Sequence, residues 1–268
     1  SLLDLMPTNS TGIVTARDGI VIGFNDQELL SRISEFRSSQ NSDEDLRARY
    51  FGGRSNSKYD CGDTRGWKLN EARSRIREDR RWRQRTAPYQ YRPFDIRSIY
   101  YTSWMVDWPR EEIMRHMTRP SSLGLYTCRQ IVSETWSHVL PTRTLTDDCY
   151  VSNRTRERGY LFPLFVAEDS QLSANSRKNT GWRGNISSDA MAAIGRQLNL
   201  REIEESECEG DCITTFSPVD VFHYIYGILH SASYRRRYYE FLKIDFPRIS
   251  FTSNVKLFKT LRDLGALL

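Results

Sequence analysis

Tyr91–Met117 reads YRPFDIRSIYYTSWMVDWPREEIMRHM, and the rest of the chain is interpreted around it. It contains four Arg, two Trp and four Tyr or Phe residues. The run Ile96–Val106 is rich in β-branched and aromatic residues, so it predicts one or two strands. Pro109 predicts the first position of a short helix, with Ile113 and Met117 facing inward. The apolar positions suffice for a core, but the arginines are too dense for a core alone. The remaining polar positions of this helix, Arg110, Arg115 and His116, are expected to face outward.

The part of the chain before this stretch is predicted to begin with a hairpin or a strand pair and to continue as helices. Gly12–Phe24 has β-branched residues on both sides of a predicted turn at Asp18-Gly19. Asp26 is expected to cap the next helix, and Asp43 to start the one after it. Asn70 is expected to cap a further helix that runs to about Arg83.

The predicted helix from Asn70 contains the sequence EARSRIREDRRWRQR, with seven Arg against three acids. Only Ala72, Ile76 and Trp82 are suited to face a core. Two interpretations stay open. The segment is either a solvated helix with internal ion pairs or a helix that lies along a phosphate backbone.

The part of the chain after the stretch changes from strands to helices. Leu123–Val166 alternates short β-like runs with polar turns and predicts several short strands. Ser187 or Ser188 is expected to cap a helix, and Ser217-Pro218 another. A following helix is expected to turn Tyr238, Phe241 and Leu242 inward, and a last one to start at Ser253 or Asn254 and end at Gly265.

These elements predict a mixed α+β fold, with a central sheet of short strands, flanking helices and a C-terminal helical subdomain. The predicted division is 1–215 for a scaffold with basic loops and 216–268 for a helical segment packed on it.

The high ratio of Arg to Lys says more about the function than the net charge of +5 does. There are 33 Arg and 6 Lys residues. Arg offers a planar fork that fits phosphate or a guanine edge, although a GC-rich genome produces the same bias. The five Cys are scattered, which favours reduced thiols in the cytoplasm rather than disulfides. No apolar run is long enough to span a membrane. The first residue is Ser1 rather than Met, which leads us to expect a piece of a longer protein.

Motifs of common enzyme classes are missing from the sequence. It has no Asn/Asp-Pro-Pro-Tyr methyltransferase motif, no Walker phosphate loop and no dinucleotide fingerprint. Cys208 and Cys212 lie in an acidic loop without a nearby His, so a zinc site is not expected. The four His residues have no evident partner in the sequence. We therefore expect a binding module without catalytic residues, metal or cofactor.

Three separated motifs resemble the C-terminal part of type ISP restriction-modification enzymes. They are the opening stretch, YLFPLF at 160–165, and SPVDVFHYIYGILHSASYRRRYYEFLKIDFPRISF at 217–251. The start NSTGIVTARD at 9–18 resembles the entry to the same domain. The family consists of single polypeptides with a nuclease, a helicase-like translocase, an adenine methyltransferase and a target recognition domain.

The resemblance implies sequence-specific binding of double-stranded DNA, with a short asymmetric site presented to the attached methyltransferase and nuclease-translocase. It implies a cytoplasmic, prokaryotic protein whose partners are DNA and the methyltransferase and helicase domains of the same polypeptide. The parent enzyme is expected to use S-adenosylmethionine, ATP and Mg. The opening stretch then belongs to the scaffold, so Arg92 and Arg97 are expected to pair internally, with Asp95 and Asp107 as candidates.

The loops supply the candidate DNA-binding residues, because Arg contacts phosphate or guanine and Asn reads adenine. The candidates for backbone contacts are Arg115, Arg119 and Arg129. The loop candidates are Arg143, Asn153, Arg154, Arg156, Arg177, Lys178, Asn179 and Arg183. Two alternatives stay open: a structural or protein-interaction module that couples neighbouring domains without base readout, and an enzyme such as a nuclease.

Overall fold

The computed structural model describes residues 1–52, 58–154, 157–168, 181–203 and 208–268. The chain forms two compact units. Unit 1 comprises Ser1–Gly12, Glu111–Thr144 and Cys149–Leu268, and unit 2 comprises Ile13–Arg110 and Leu145–Asp148. The sequence-based division at residue 215 stays a prediction.

Helices and short strands alternate in both units, which confirms the prediction of a mixed α+β fold. The helices are α1 (Leu2–Leu5), α2 (Asp18–Val21), α3 (Asp26–Arg37), α4 (Asp43–Phe51), α5 (Leu69–Glu78), α6 (Glu111–Met114), α7 (Ser188–Leu198), α8 (Pro218–His230), α9 (Ala232–Arg237), α10 (Tyr239–Leu242) and α11 (Val255–Leu267). Short 3-10 helices cover Trp82–Gln84 and Arg115–Met117. The strands are β1 (Ser10–Thr11), β2 (Ile22–Gly23), β3 (Thr86–Arg92), β4 (Asp95–Tyr100), β5 (Gly124–Cys128), β6 (Val139–Thr142), β7 (Leu145–Thr146), β8 (Gly159–Pro163), β9 (Phe165–Ala167), β10 (Trp182–Gly184), β11 (Arg201–Glu202) and β12 (Thr215–Phe216). None of the helices in the described ranges is long and apolar enough to cross a bilayer.

Unit 1 is organised around an antiparallel sheet with the strand order β1-β8-β5-β6. All five residues of β5 are buried, as expected for a short strand with neighbours on both sides. Leu125 and Phe162 of this sheet share one hydrophobic core with Phe222 of α8 and Phe258 of α11. The C-terminal helices therefore complete the core that the sheet begins.

Unit 2 contains a sheet with the order β2-β4-β3-β7, in which β3 and β7 are parallel. Tyr89 and Tyr100 are fully buried in it, and the hydroxyl of Tyr89 donates to Asp147 at 2.6 Å. Helix α3 buries Leu29 and Phe36, as its apolar spacing predicts.

The predicted hairpin at Asp18-Gly19 is wrong. The Thr15 hydroxyl donates to the Asp18 carboxylate, and the chain turns there into the single-turn helix α2. The Asp18 carboxylate also accepts from the Tyr91 hydroxyl at 2.8 Å. A local side-chain bond thus competes successfully with strand pairing, which is the usual effect of Thr and Asp near a turn.

Several predicted helix limits also differ. Helix α5 ends at Glu78 rather than near Arg83, and helix α11 continues through Gly265. Helix α3 is capped by Asn25 rather than Asp26, because the Asn25 side chain accepts from the Glu28 amide at 2.9 Å. Helix α6 begins after Pro109, since Arg110 adopts a left-handed conformation with φ of 54°.

Two side chains face the opposite way from the prediction. His116 was expected at the surface but is only 3% exposed, because the helix tightens to a 3-10 turn at Arg115. Phe241 was expected inside but is 69% exposed. The chain breaks between α9 and α10 at Tyr238, so Leu242 takes the inward position instead.

The predicted ion pairs of the opening stretch are confirmed in part. Arg97 pairs with Asp95 at 2.8 Å. Arg92 pairs with Asp147 at 2.9 Å, which lies 55 residues away and was not foreseen. Asp107 pairs with the buried Arg17 at 3.2 Å.

The expectation that no His has a partner is wrong for His138, which lies 3.0 Å from the buried carboxylate of Glu157. Glu157 also accepts from the Val132 amide, the Ser133 amide and the Ser133 and Ser152 hydroxyls, at 2.6–2.7 Å. Burial raises the pKa of this carboxyl, but the hydrogen bonds from the two serines and Val132 outweigh it and lower the pKa to about 2.

We expect Glu157→Gln to lower the free energy of unfolding at pH 7 by about 2–4 kcal/mol, and the melting temperature with it. The cause is that the Gln side chain has an NH2 donor where Glu has an oxygen that accepts hydrogen bonds. The sign of the pH effect follows from the lowered pKa. In the wild type, the stabilisation by the ionised Glu157 carboxylate is complete above the ordinary pKa of about 4.5, and it is lost as the pH falls toward 2. Thermal melts between pH 7 and 3 measure both effects. Glu240→Gln, at an exposed position, is the control and should change neither.

Helices α8 and α11 cross at a contact between two glycines. A methyl group at Gly265 would overlap the backbone carbonyl of His223, and one at Gly227 would overlap that of Leu261. Near the crossing, the Nε atom of Arg262 lies 3.4 Å from the fully buried carboxylate of Asp220. The close approach therefore also brings a counter-charge to a buried acid.

Gly265→Ala is expected to destabilise the protein by about 1–3 kcal/mol, although Ala favours helix more than Gly does. The cause is the backbone overlap with α8. Urea denaturation gives the measurement, and Gly19→Ala in α2, where the nearest atom is 4.0 Å away, is the control. Equal stability of the wild type and Gly265→Ala would contradict the crossing geometry.

Candidate nucleic-acid interface

The register of the unit 1 sheet separates the candidate DNA-binding residues between its two ends. At one end, Gly124 of β5 is paired with Pro163 and Thr142, and we call this the Gly124 end. At the other, Cys128 is paired with Gly159, and we call this the Cys128 end. Arg143 follows Thr142 and so lies at the Gly124 end. The candidates were spread over the sequence, and strand pairing determines which of them can act together.

A cavity of about 430 Å³ lies beyond the Gly124 end, where β8 leads into β9. Two of the predicted residues, Arg115 and Arg183, line it, and both are exposed. Arg115 opens the 3-10 turn after α6, whereas Arg183 is in β10. The other lining residues are Pro7, Thr8, Asn9, Glu112, Ile113, His116, Val166, Ala167 and Glu168.

The β9–β10 hairpin carries the aromatic part of this site. Trp182 is paired with Ala167 and Arg183 with Val166. The guanidinium of Arg119 lies over the Trp182 ring, 4.4 Å from its centroid, and donates to the Ser121 hydroxyl at 2.7 Å. Stacking restricts the rotamers of a long cationic side chain, so Arg119 is held in place before any ligand arrives.

Buried polar side chains fix the walls of the cavity. The Nδ1 atom of His116 accepts from the Ala167 amide at 3.0 Å, which joins the 3-10 turn to β9. The side chain of Asn185 accepts from the Thr8 amide at 2.9 Å and donates to the carbonyls of Thr8 and Pro163 at 2.7 and 2.8 Å. These bonds attach the segment before β1 to the end of β8.

Sequence reasoning missed other members of the site, among them Asn9, Glu112, His116 and Glu168. Asn9 and Glu112 gave no signal, because they come next to the arginines only through folding. His116 could have been found from its place three residues after the buried Ile113, which is the spacing of one helix face.

The remaining candidates lie elsewhere or outside the described residues. Arg129, at the Cys128 end, pairs with Asp245 at 3.4 Å across a largely exposed contact. Asn153 and Arg154 are exposed in the loop that leads to β8, and the Arg154 carbonyl accepts from the Glu157 amide at 2.9 Å. Arg156, Arg177, Lys178 and Asn179 lie outside the described residues. The last three belong to 169–180, which connects Glu168 with Gly181, and the Glu168 amide donates to the Gly181 carbonyl at 2.9 Å.

Comparison with protein families decides the identity of the chain. The model of the type ISP C-terminal specificity domain matches residues 4–268. The chain belongs to this family. No curated protein sequence matches the specificity domain significantly.

Solved structures share the fold of this specificity domain. The DrdV–DNA complex matches with a TM-score of 0.64 at 21% identity, over 98% of this chain and 23% of that one. The ATP-dependent type ISP restriction-modification enzyme LlaBIII bound to DNA gives 0.62 at 21%, over 97% and 16%. A nuclease-deletion mutant of the type ISP enzyme LlaGI, in complex with a DNA substrate mimic, gives 0.59 at 20%, over 98% and 18%. The specificity domain thus spans about a fifth of the length of these chains.

Asn185→Ala is expected to destabilise the specificity domain by about 2–4 kcal/mol, because it removes three hydrogen bonds and leaves their backbone partners unsatisfied. Thermal melting measures the loss. Asn153→Ala, at an exposed loop position, is a surface comparison. An unchanged melting temperature of Asn185→Ala would show that Asn185 does not hold the segment before β1.

Proposed function

We propose that this specificity domain binds double-stranded DNA and reads a short asymmetric sequence within a larger restriction-modification enzyme. In that enzyme it presents the site to an attached adenine methyltransferase and to a nuclease-translocase. The domain contributes no catalytic group in this proposal. S-adenosylmethionine, ATP and Mg belong to the proposed parent enzyme.

The observation that carries the proposal is that Arg115 and Arg183 line one cavity, while Arg119 is stacked on Trp182, which precedes Arg183 in β10. Arg115 and Arg119 come from one segment and Arg183 from another, and folding brings the two segments together. Arg binds the guanine edge with two parallel hydrogen bonds and also binds phosphate. The cluster therefore has the donors that both kinds of contact require.

The same cavity contains hydrogen-bond acceptors. Glu112 and Glu168 line it, together with Asn9, whose side-chain amide donates to the carbonyls of Met6 and Pro7. A surface that binds only phosphates gains nothing from carboxylates, which repel them. Glu can accept from the cytosine amino group, so a mixture of Arg and Glu suits base edges. We therefore infer that this cavity faces a groove rather than the backbone alone.

Arg143 extends the proposed surface, because it lies at the Gly124 end. The sequence candidates Arg177, Lys178 and Asn179 lie outside the described residues and stay predictions. Relatives of the same fold are described in complexes with DNA, which supports the same partner here.

Selection from a randomised duplex library tests base reading. We expect the wild-type chain to enrich one short asymmetric motif. Arg115→Gln and Arg183→Gln should each weaken binding of the selected duplex by about 5- to 150-fold, which corresponds to 1–3 kcal/mol, and relax one position of the motif. Arg236→Gln, an exposed change of equal charge on α9, is the control.

The two ends of the sheet are compared in the same assay. Arg129→Gln and Arg154→Gln change the charge equally at the Cys128 end, and we expect them to leave the motif intact. If these two variants relax the motif and the cavity variants do not, the proposed site is at the wrong end. If the library yields no motif, the protein-interaction alternative gains support. In that case the cavity variants placed in the full-length enzyme should leave DNA methylation unchanged.

A further inference from the structure

Unit 2 carries a second concentration of arginine, which the proposed base-reading site does not include. The sequence RIREDRRWR at 75–83 runs from α5 into the 3-10 helix. Its five arginines are all exposed. We call them the arginine ridge: Arg75, Arg77, Arg80, Arg81 and Arg83.

The ridge arginines have no counter-charge in contact with them in the described ranges. Within the described part of the chain, no carboxylate oxygen lies within 4.0 Å of a ridge guanidinium. Arg37, Arg65 and Arg110 of the unit share this property among the described residues, whereas eight other arginines of the unit have a carboxylate partner. These pairs are Arg17–Asp107, Arg32–Glu28, Arg47–Asp63, Arg49–Glu35, Arg73–Asp43, Arg85–Asp79, Arg92–Asp147 and Arg97–Asp95.

The two acids inside the ridge sequence are already engaged. Asp79 pairs with Arg85 at 2.8 Å and accepts from the Arg81 amide at 2.8 Å. These bonds hold the pKa of the Asp79 carboxyl below its ordinary value, the bond from Arg85 being the largest cause. Glu78 accepts from the Ser74 hydroxyl at 2.9 Å. The ridge is therefore left with unbalanced positive charge.

A rigid frame holds the ridge in place. Arg73 is only 4% exposed, and its guanidinium donates to the carbonyls of Phe36, Ser38 and Asn41, which anchors α5 to the end of α3. Trp82 is buried, with the guanidinium groups of Arg37 and Arg83 over its ring at 4.9 and 4.3 Å. The anchored backbone of the ridge loses less conformational entropy on binding than a flexible tail does.

Like charges at this density repel each other, and a polyanion removes that cost. Duplex DNA carries about one negative charge per 1.7 Å of its axis, so it matches closely spaced arginines better than scattered protein carboxylates do. The two acids of the ridge sequence already accept hydrogen bonds from within the chain, so they do not offer acceptors to the edges of bases. This argues for contact with the DNA backbone without base reading.

We propose that the arginine ridge binds the phosphate backbone of duplex DNA, independently of sequence. This assigns to unit 2 a positioning role beside the base-reading role of unit 1. The inference rests on the proposed function for its choice of DNA as the partner.

The test is the salt dependence of binding by the whole chain. Fluorescence anisotropy is measured from 50 to 200 mM KCl, with the selected duplex and with a scrambled one. The ridge variant combines Arg75→Gln, Arg80→Gln and Arg81→Gln, which leaves the Arg83–Trp82 stack intact. We expect the slope of log K against log salt to become shallower by about 0.9 for each phosphate that is no longer neutralised, with both duplexes. The motif from library selection should stay the same.

The matched control combines Arg196→Gln, Arg201→Gln and Arg236→Gln, which removes the same charge from exposed positions of unit 1. A ridge variant with three Lys substitutions keeps the charges and should keep the slope. Because the substituted side chains are exposed, all variants should show the wild-type melting temperature.

The outcomes separate this proposal from the proposed function. If the slope falls equally in the ridge variant and in the control, the ridge proposal is overturned, while an enriched motif still supports base reading. A ridge-specific reduction of the slope without any enriched motif supports the ridge and overturns base reading. Absence of salt-sensitive binding by the wild type at 50 mM KCl overturns both.

Discussion

The antiparallel pairing of β5 with β8 on one side and β6 on the other constrains what unit 1 can present. Because β5 is buried along its whole length, its register cannot shift without exposing core side chains. That register brings the residues after β6, the β8–β9 connection and the turn before β5 to the same end of the sheet. The cavity and its arginines follow from this arrangement, and the hydrogen bonds of His116 and Asn185 set its walls.

Arginine has three distinct roles in this molecule. Buried arginines such as Arg17 and Arg73 bind backbone carbonyls and carboxylates and hold the frame together. Arg119 is stacked on Trp182 and belongs to the proposed reading site. The exposed arginines near Trp82 lack carboxylate partners within the described residues and suit a polyanion. The buried arginines are therefore explained by their structural role, and the exposed and stacked arginines by the proposed DNA contacts.

The sequence was sufficient for the fold class, for most elements and for the family, because periodicity, caps and motifs are local signals. Ser217 and Pro218 predicted the start of α8 correctly for that reason. Errors arose where a distant partner decides the conformation. The partner of Arg92 is Asp147, and Gly265 lies within a helix because α8 packs against it. Arg115 and Arg183 were identified one by one from composition, but their shared cavity could not be predicted, since it depends on strand register.

The order of segments along the chain has a consequence for biosynthesis. Most of unit 2, Ile13–Arg110, follows the first strand of unit 1, and its last residues, Leu145–Asp148, lie between Thr144 and Cys149 of unit 1. The ribosome therefore synthesises all of unit 2 before it has synthesised half of unit 1. In unit 1, by contrast, the amide of Leu2 donates to the carbonyl of Pro247, and α11 contributes Phe258 to the core. One unit can fold during translation, while the other must keep its first residues available until nearly all of the chain has emerged.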